Sequence, residues 1–160
     1  MFGHTLAIFL AHKKGTSIEE YGFNHPSGTI GKRLSLFTED VMLSLESTPT
    51  CSPDAKVVDA LLQANNRKLG ACILLEGTKV YGIVTDGDFR RAILKDSEQT
   101  ISGPVKNICT KNPKCISKSS KAWDALLLMK KHNITLLPVV HEGDLVGCIH
   151  MHQLLHLGLG

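Results

Sequence analysis

The chemistry this sequence could carry centres on Thr85 and Asp88, which stand three residues apart just beyond the apolar run Gly82-Ile83-Val84. If a buried strand gives way to a helix there, the threonine hydroxyl and the unpaired N–H groups of the first helical turn can cradle a phosphate. The Asp88 carboxylate can then accept two hydrogen bonds from a ribose diol. Asp86 lies inside the same turn, and Arg90 and Arg91 follow it within reach of a phosphate, although arginines on a helix surface are more often solvated. The same spacing is also a capping box, in which Thr85 and Asp88 only close a helix start. On the tetrapeptide alone the capping reading leads.

A second group is His150, His152 and His156. His152 and His156 would share a helix face, as metal ligands can, but no acid or cysteine sits at a companion spacing, so the sequence predicts no metal and no cofactor. Trp123 falls in the apolar register of a helix and reads as core rather than as a base-stacking platform. The five cysteines are odd in number, form no Cys-x-x-Cys pair and lie partly in apolar runs, which predicts reduced, mostly buried thiols in a cytoplasmic protein.

The elements that position Thr85 and Asp88 occur twice. Asp-Ala-Leu-Leu appears at 59–62 and 124–127; at the same offset 71–75 overlies 136–140 and, beyond Glu-Gly turns that differ by one residue, Gly82-Ile83-Val84 overlies Gly147-Cys148-Ile149. In the first unit Ser52, Pro53 and Asp54 predict a capped helix start, with Val57, Val58, Leu61 and Leu62 on its apolar face. A hairpin follows, Ala71 to Leu75 and Val80 to Thr85 about Glu76-Gly77, and then a helix from about Asp86. The second unit repeats this with Ala122, Trp123, Leu126 and Leu127 on the helix face, strands 136–140 and 145–150, and a closing helix at 151–157. The polar stretch 96–104, ending in Gly103-Pro104, reads as a linker. One such unit leaves a sheet face and two helix stripes half covered, so two copies would share a core that neither completes alone.

Composition narrows the classes. With 160 residues, 42% apolar and 21% charged, the chain is an ordinary globular sequence rather than a disordered one. A net charge of +3, with its cations scattered among acids, predicts no nucleic-acid partner. The apolar opening 1–11 lacks a basic leader and soon meets Lys13 and Lys14, which predicts neither a signal peptide nor a membrane span.

Asp40-Val41-Met42, the Pro53-Asp54-Ala55 start, the hairpin and 82–88 together resemble the cystathionine-β-synthase (CBS) domain, whose strand-to-helix junction carries Gly-h-x-h-[Ser/Thr]-x-x-Asp, h being apolar. Two such repeats form a Bateman module. The resemblance covers about 39–157 and implies an α/β (α+β) fold of tandem repeats. Each is a helix, two strands and a helix with a short leading strand, and the two pack as a pseudo-twofold pair. It also implies a small nucleotide or nucleotide-sugar as ligand partner and a homo-oligomer, and it moves Thr85, Asp86, Asp88, Arg90, Arg91 and His150 from caps to candidate ligand-binding residues. In the second repeat His150 and Gln153 replace the Thr and Asp, which predicts one competent site rather than two.

A narrower resemblance lies upstream. Gly3-His4-Thr5-Leu6-Ala7 and the stretch 22–34, with His25-Pro26, are similar to the junction in bacterial arabinose 5-phosphate isomerases of the sugar-isomerase (SIS) plus CBS type. It implies that 1–38 is the remnant of an SIS-domain helix and linker, with repeats at 39–95 and 105–160 and an SIS catalytic domain as partner. His25 corresponds to the family's His-Pro histidine, implicated in proton transfer between sugar carbons. No sugar-phosphate fold precedes residue 39, so His25 is expected to be inactive in this chain alone. The leading function is therefore a regulatory ligand-binding pair. The alternatives are the aldose-ketose isomerase itself and a purely structural oligomerisation pair.

Overall fold

A computed structural model describes residues 31, 33, 35–95 and 97–160; His25 and the rest of the SIS-like junction lie outside the described residues, save Gly31 and Arg33. The chain runs through α1 (Thr38–Val41), β1 (Leu43–Ser44), β2 (Thr50–Cys51), α2 (Val57–Asn66), β3 (Ala71–Glu76), β4 (Lys79–Thr85) and α3 (Asp86–Lys95). It continues as α4 (Ser97–Ser102), β5 (Thr110–Lys111), β6 (Ile116–Ser117), α5 (Ala122–His132), β7 (Leu136–His141), β8 (Asp144–His150) and α6 (Met151–His156). The stretch read as a linker thus carries a short helix of its own.

The duplicated unit is an antiparallel hairpin with one parallel strand outside it: β3 pairs with β4 and β2, and β7 pairs with β8 and β6. The two hairpins join where Lys79 pairs with Asp144. There the Leu145 N–H donates to the Thr78 carbonyl at 2.9 Å, and the Thr78 hydroxyl donates to Asp144 Oδ1 at 2.6 Å. The result is the tandem α/β pair that the repeat predicts.

The leading segments are exchanged. β1, at the head of the first repeat, pairs with β8 of the second (Leu43 with Cys148, Ser44 with Gly147), while β5, at the head of the second, pairs with β4 of the first (Thr110 with Ile83, Lys111 with Gly82). Further upstream the exchange repeats. The Val57 N–H donates to the Gly103 carbonyl at 3.0 Å and the Ala122 N–H to the Leu36 carbonyl at 2.9 Å. Each half therefore needs the other half's lead-in to complete its sheet.

The same exchange moves the first helix start. Ser52, Pro53 and Asp54 form a turn, in which the Asp54 N–H donates to Ser52 Oγ at 3.3 Å, and α2 begins only at Val57 with Lys56 as its N-cap. Lys56 is held extended by a bridge to Pro104, and the Val105 N–H donates to the Ala55 carbonyl at 2.8 Å, so the distant lead-in outcompetes the local cap signal. A second correction concerns the helix faces. Leu62 and Leu127 are exposed, and the faces that enter the core are Val57, Ala60 and Ala64 on α2 and Ala122, Ala125, Leu126 and Met129 on α5.

The core follows from these pairings. One cluster under α2 joins Val57, Cys72, Leu74, Val84 and Phe89 to Val105, which belongs to the second repeat's lead-in. Its counterpart joins Leu126, Met129, Leu137, Ile149 and Leu154, with Val41 and Met42 from the first repeat's lead-in packed against it. Between them Ala71, Ile73, Leu136, Leu145 and Cys148 form the seam. β3 and β7 are covered on both faces, which is why their sequences run continuously apolar instead of alternating. Trp123 is half-buried against the second cluster and carries Arg33 over its ring at 3.8 Å. The five thiols are free; Cys72 and Cys148 are buried and the other three half-buried, a less complete burial than expected.

Candidate ligand site at the repeat seam

β4 passes directly into α3, so Thr85 is the last strand residue and Asp88 completes the first helical turn. The Asp88 carboxylate reaches back: Oδ2 accepts from the Thr85 N–H at 2.9 Å and from the Thr85 hydroxyl at 2.7 Å. Its other oxygen, Oδ1, accepts from Arg91 Nη2 at 2.5 Å. The capping geometry is therefore present, and it presents Thr85, Asp88 and Arg91 together on one wall of a cavity of about 480 Å³.

Most of the remaining lining comes from the second repeat and its lead-in. Thr110, Asn112 and Lys114 come from β5 and the segment after it, Asn133 and Thr135 from the turn after α5, and Leu136 and Pro138, with Ile83 of the first repeat's β4, supply apolar surface. The cavity thus brings two cations, Arg91 and Lys114, and one carboxylate around an apolar patch. That is a chemistry suited to a ligand with an anionic end, a hydroxylated middle and a flat apolar end.

Of the residues picked from the sequence, Thr85, Asp88 and Arg91 line this cavity, and Asp86, Arg90 and His150 do not. The exposed Asp86 is tied to the preceding turn, its N–H donating to the Gly70 carbonyl at 2.9 Å, and Arg90 is exposed. His150 occupies the position related to Thr85 by the internal repeat. Sequence reasoning missed Thr110, Asn112, Lys114, Asn133 and Thr135. Only the asparagines left a signal: Asn112 and Asn133 hold φ of 48° and 52°, a left-handed backbone that asparagine tolerates, and Asn133 is where a helix end would be read.

The second strand-to-helix junction provides an internal control. The His150 N–H donates to Gln153 Oε1 at 2.9 Å, matching the Thr85 to Asp88 bond, so a neutral amide closes that helix as well as the carboxylate closes α3. The negative charge of Asp88 is consequently not required for capping. His150 Nδ1 also accepts from the His152 N–H at 3.3 Å, and the two rings stack at 5.2 Å. Among the described residues no three His, Cys, Asp or Glu side chains form a group that could hold a metal, and no helix is long and apolar enough to cross a membrane.

Burial pushes the His150 pKa below its ordinary value of 6.5, and the neighbouring His152 pushes it further down. The folded chain resists protonating this ring more than the unfolded chain does. Its contribution to stability is whole above the ordinary histidine pKa and is lost as pH falls through the lowered folded value. The expected result is that the melting temperature falls between about pH 7.5 and pH 5 by more in the wild type than in His150→Asn, which keeps an N-cap acceptor. Superimposable melting curves across that range would remove His150 from the pH response.

Comparison with known proteins agrees with the duplicated architecture. The CBS domain family model matches residues 39–95 and again 105–160. The chain belongs to the CBS domain family. Its CBS pair superimposes on CBSX2 of Arabidopsis thaliana, solved in complex with AMP, with a TM-score of 0.69 at 22% identity over 78% of this chain and 97% of that one. It superimposes likewise on PAE2072 of Pyrobaculum aerophilum, complexed with AMP, with a TM-score of 0.67 at 19% identity over 78% of this chain and 100% of that one. In sequence the chain is similar to the arabinose 5-phosphate isomerase KdsD of Francisella tularensis, 35% identical over 160 residues, 99% of this chain and 49% of that protein. The chain spans about half the length of the curated relatives it matches.

Proposed function

We propose that this CBS pair is a regulatory module that binds one nucleoside phosphate, or a nucleotide-sugar, in the cavity at the repeat seam. The observation that carries the reading is the arrangement around that cavity: the Asp88 carboxylate, the Thr85 junction and the cations Arg91 and Lys114 surround one apolar patch built by both repeats. A phosphate suits Arg91, Lys114 and the helix start, a ribose suits Asp88, and a base suits Ile83, Leu136 and Pro138. The AMP named for CBSX2 and PAE2072 makes AMP the first ligand to try. The likeness to KdsD supports a parent that interconverts arabinose 5-phosphate and ribulose 5-phosphate in the cytoplasm. In that parent catalysis, including any role of His25, would belong with an SIS-type domain, and the pair would report ligand state to it, the whole assembling as a homo-oligomer.

A ligand-free structural role draws on one observation, that Oδ2 of Asp88 is already doubly bonded within its own helix cap. The two readings separate in a titration. Calorimetry with AMP, backed by a thermal-shift panel of adenine and cytidine nucleotides and nucleotide-sugars, is expected to give one ligand per chain and a melting temperature that rises with ligand concentration. No heat and no shift with any of them would leave the structural role.

A further inference from the structure

The nucleotide reading leaves a competition unexplained. A carboxylate has about four lone-pair sites. Both sites on Asp88 Oδ2 are taken by Thr85, and on Oδ1 one is taken by Arg91. A diol that brings two donors to Asp88 therefore meets Arg91 at the oxygen still able to accept. The carboxylate and its counter-ion differ sharply in freedom: the Asp88 side chain is 15% exposed and the Arg91 side chain 72%. Asp88 is fixed from behind by two Thr85 donors, whereas the guanidinium is an arm in solvent. The arm folds back across the turn over Gly87, where an added Cβ would lie 3.3 Å from Nη1 and 3.8 Å from Nη2. A side chain at residue 87 would crowd it by a few tenths of an ångström.

We propose that Arg91 is an internal competitor for the diol acceptor on Asp88, so that ribose capture depends on an anionic group in the same ligand. Resting on the nucleotide reading above, the inference adds a rule of selectivity. A neutral nucleoside must displace the guanidinium and offers it nothing in return. A nucleoside phosphate gives Arg91 a new partner at the moment its old one is taken, with Lys114 of the same cavity to share the charge. The competition would then add to the preference for nucleotides over nucleosides without a separate device for disfavouring the latter.

The test is calorimetric titration of the wild type, Arg91→Gln and Gly87→Ala with adenosine and with AMP. Because an exposed ion pair is weak, Arg91→Gln is expected to bind adenosine roughly two- to fivefold more tightly than the wild type. It should bind AMP about tenfold more weakly, having lost a charged phosphate contact, so the two ligands move in opposite directions. Gly87→Ala, which keeps the arginine but crowds its folded-back position, is expected to tighten adenosine as well. Adenosine affinity unchanged or weakened in Arg91→Gln, with AMP weakened, would reduce Arg91 to a plain phosphate ligand and overturn the inference while leaving the nucleotide reading standing. A wild type that binds neither ligand would overturn both.

Discussion

Asp88→Ala is expected to weaken AMP by roughly ten- to a hundredfold, the size of a loss of hydrogen bonds to a charged group of about 1.5–3 kcal/mol, while Gln153→Ala stays within about twofold of the wild type. The contrast rests on the internal control. Both side chains cap a helix through the same bond to a strand-end N–H, at 2.9 Å in each case, but only Asp88 carries charge and only Asp88 lines the cavity. Removing either cap costs about 0.5–2 kcal/mol of stability, so both variants should fold and the affinities can be compared directly. Asp88→Asn sharpens the comparison because it preserves an amide cap of the kind Gln153 provides and removes only the charge. It is expected to bind as poorly as Asp88→Ala while melting closer to the wild type. Equal weakening by Asp88→Ala and Gln153→Ala, or two equivalent sites in the wild type, would place the ligand elsewhere.

Much of the fold was legible because its signals are local or repeated. The Asp-Ala-Leu-Leu pair and the runs of four apolar residues at 71–74 and 136–139 mark helices and doubly covered strands that the structure places within a residue or two. What could not be read is whatever depends on the exchange of lead-in segments. Ser52-Pro53-Asp54 carries every local mark of a helix start, yet α2 begins later because Pro104, about fifty residues away, pins Lys56 in an extended conformation. The candidate site divides along the same line. Thr85, Asp88 and Arg91 follow one another at intervals of three across a single strand-to-helix junction and announce themselves by spacing. Lys114, Asn112 and Thr135 reach the cavity only because β5 pairs with the first repeat's hairpin and the seam brings the turn after α5 alongside it, and no pattern within either segment encodes that. Leu62 and Leu127 face solvent for a different reason: alanines at 60, 64, 122 and 125 bring the helices close to the sheet, so the interior faces are narrower than the leucine spacing suggests.

Gly147→Ala is expected to be the most destabilising single-methyl addition at either exchange point, costing about 3 kcal/mol or more, at the upper end for overpacking. Gly147 pairs with Ser44, and a Cβ there would run into the Leu43 carbonyl oxygen, with the Leu43 carbonyl carbon and Met42 Sδ each at 3.3 Å behind it. The first obstacle is backbone, so no rotamer change relieves it. β1 would have to lift from β8, drawing Val41 and Met42 away from the core cluster they cover. The repeat supplies a matched comparison in Gly82, beneath β5. There an added Cβ meets a side chain first, Cys109 Sγ at 2.9 Å, which can rotate away, and then the Thr110 carbonyl oxygen at 3.0 Å, which needs to give by only a few tenths of an ångström. Gly82→Ala is expected to cost about 1 kcal/mol. At about 2–4 °C per kcal/mol for a chain of this size, thermal unfolding should separate the two variants by several degrees. Binding should rank them the other way, because β5 leads into the Thr110 to Lys114 wall of the cavity whereas β1 contributes no residue to it. Gly82→Ala should therefore perturb AMP affinity more than Gly147→Ala measured well below its melting temperature. Equal melting temperatures for the two variants would mean that β1 does not depend on its seat against β8, and the exchange of lead-in strands would then lose its place as the feature that joins the halves.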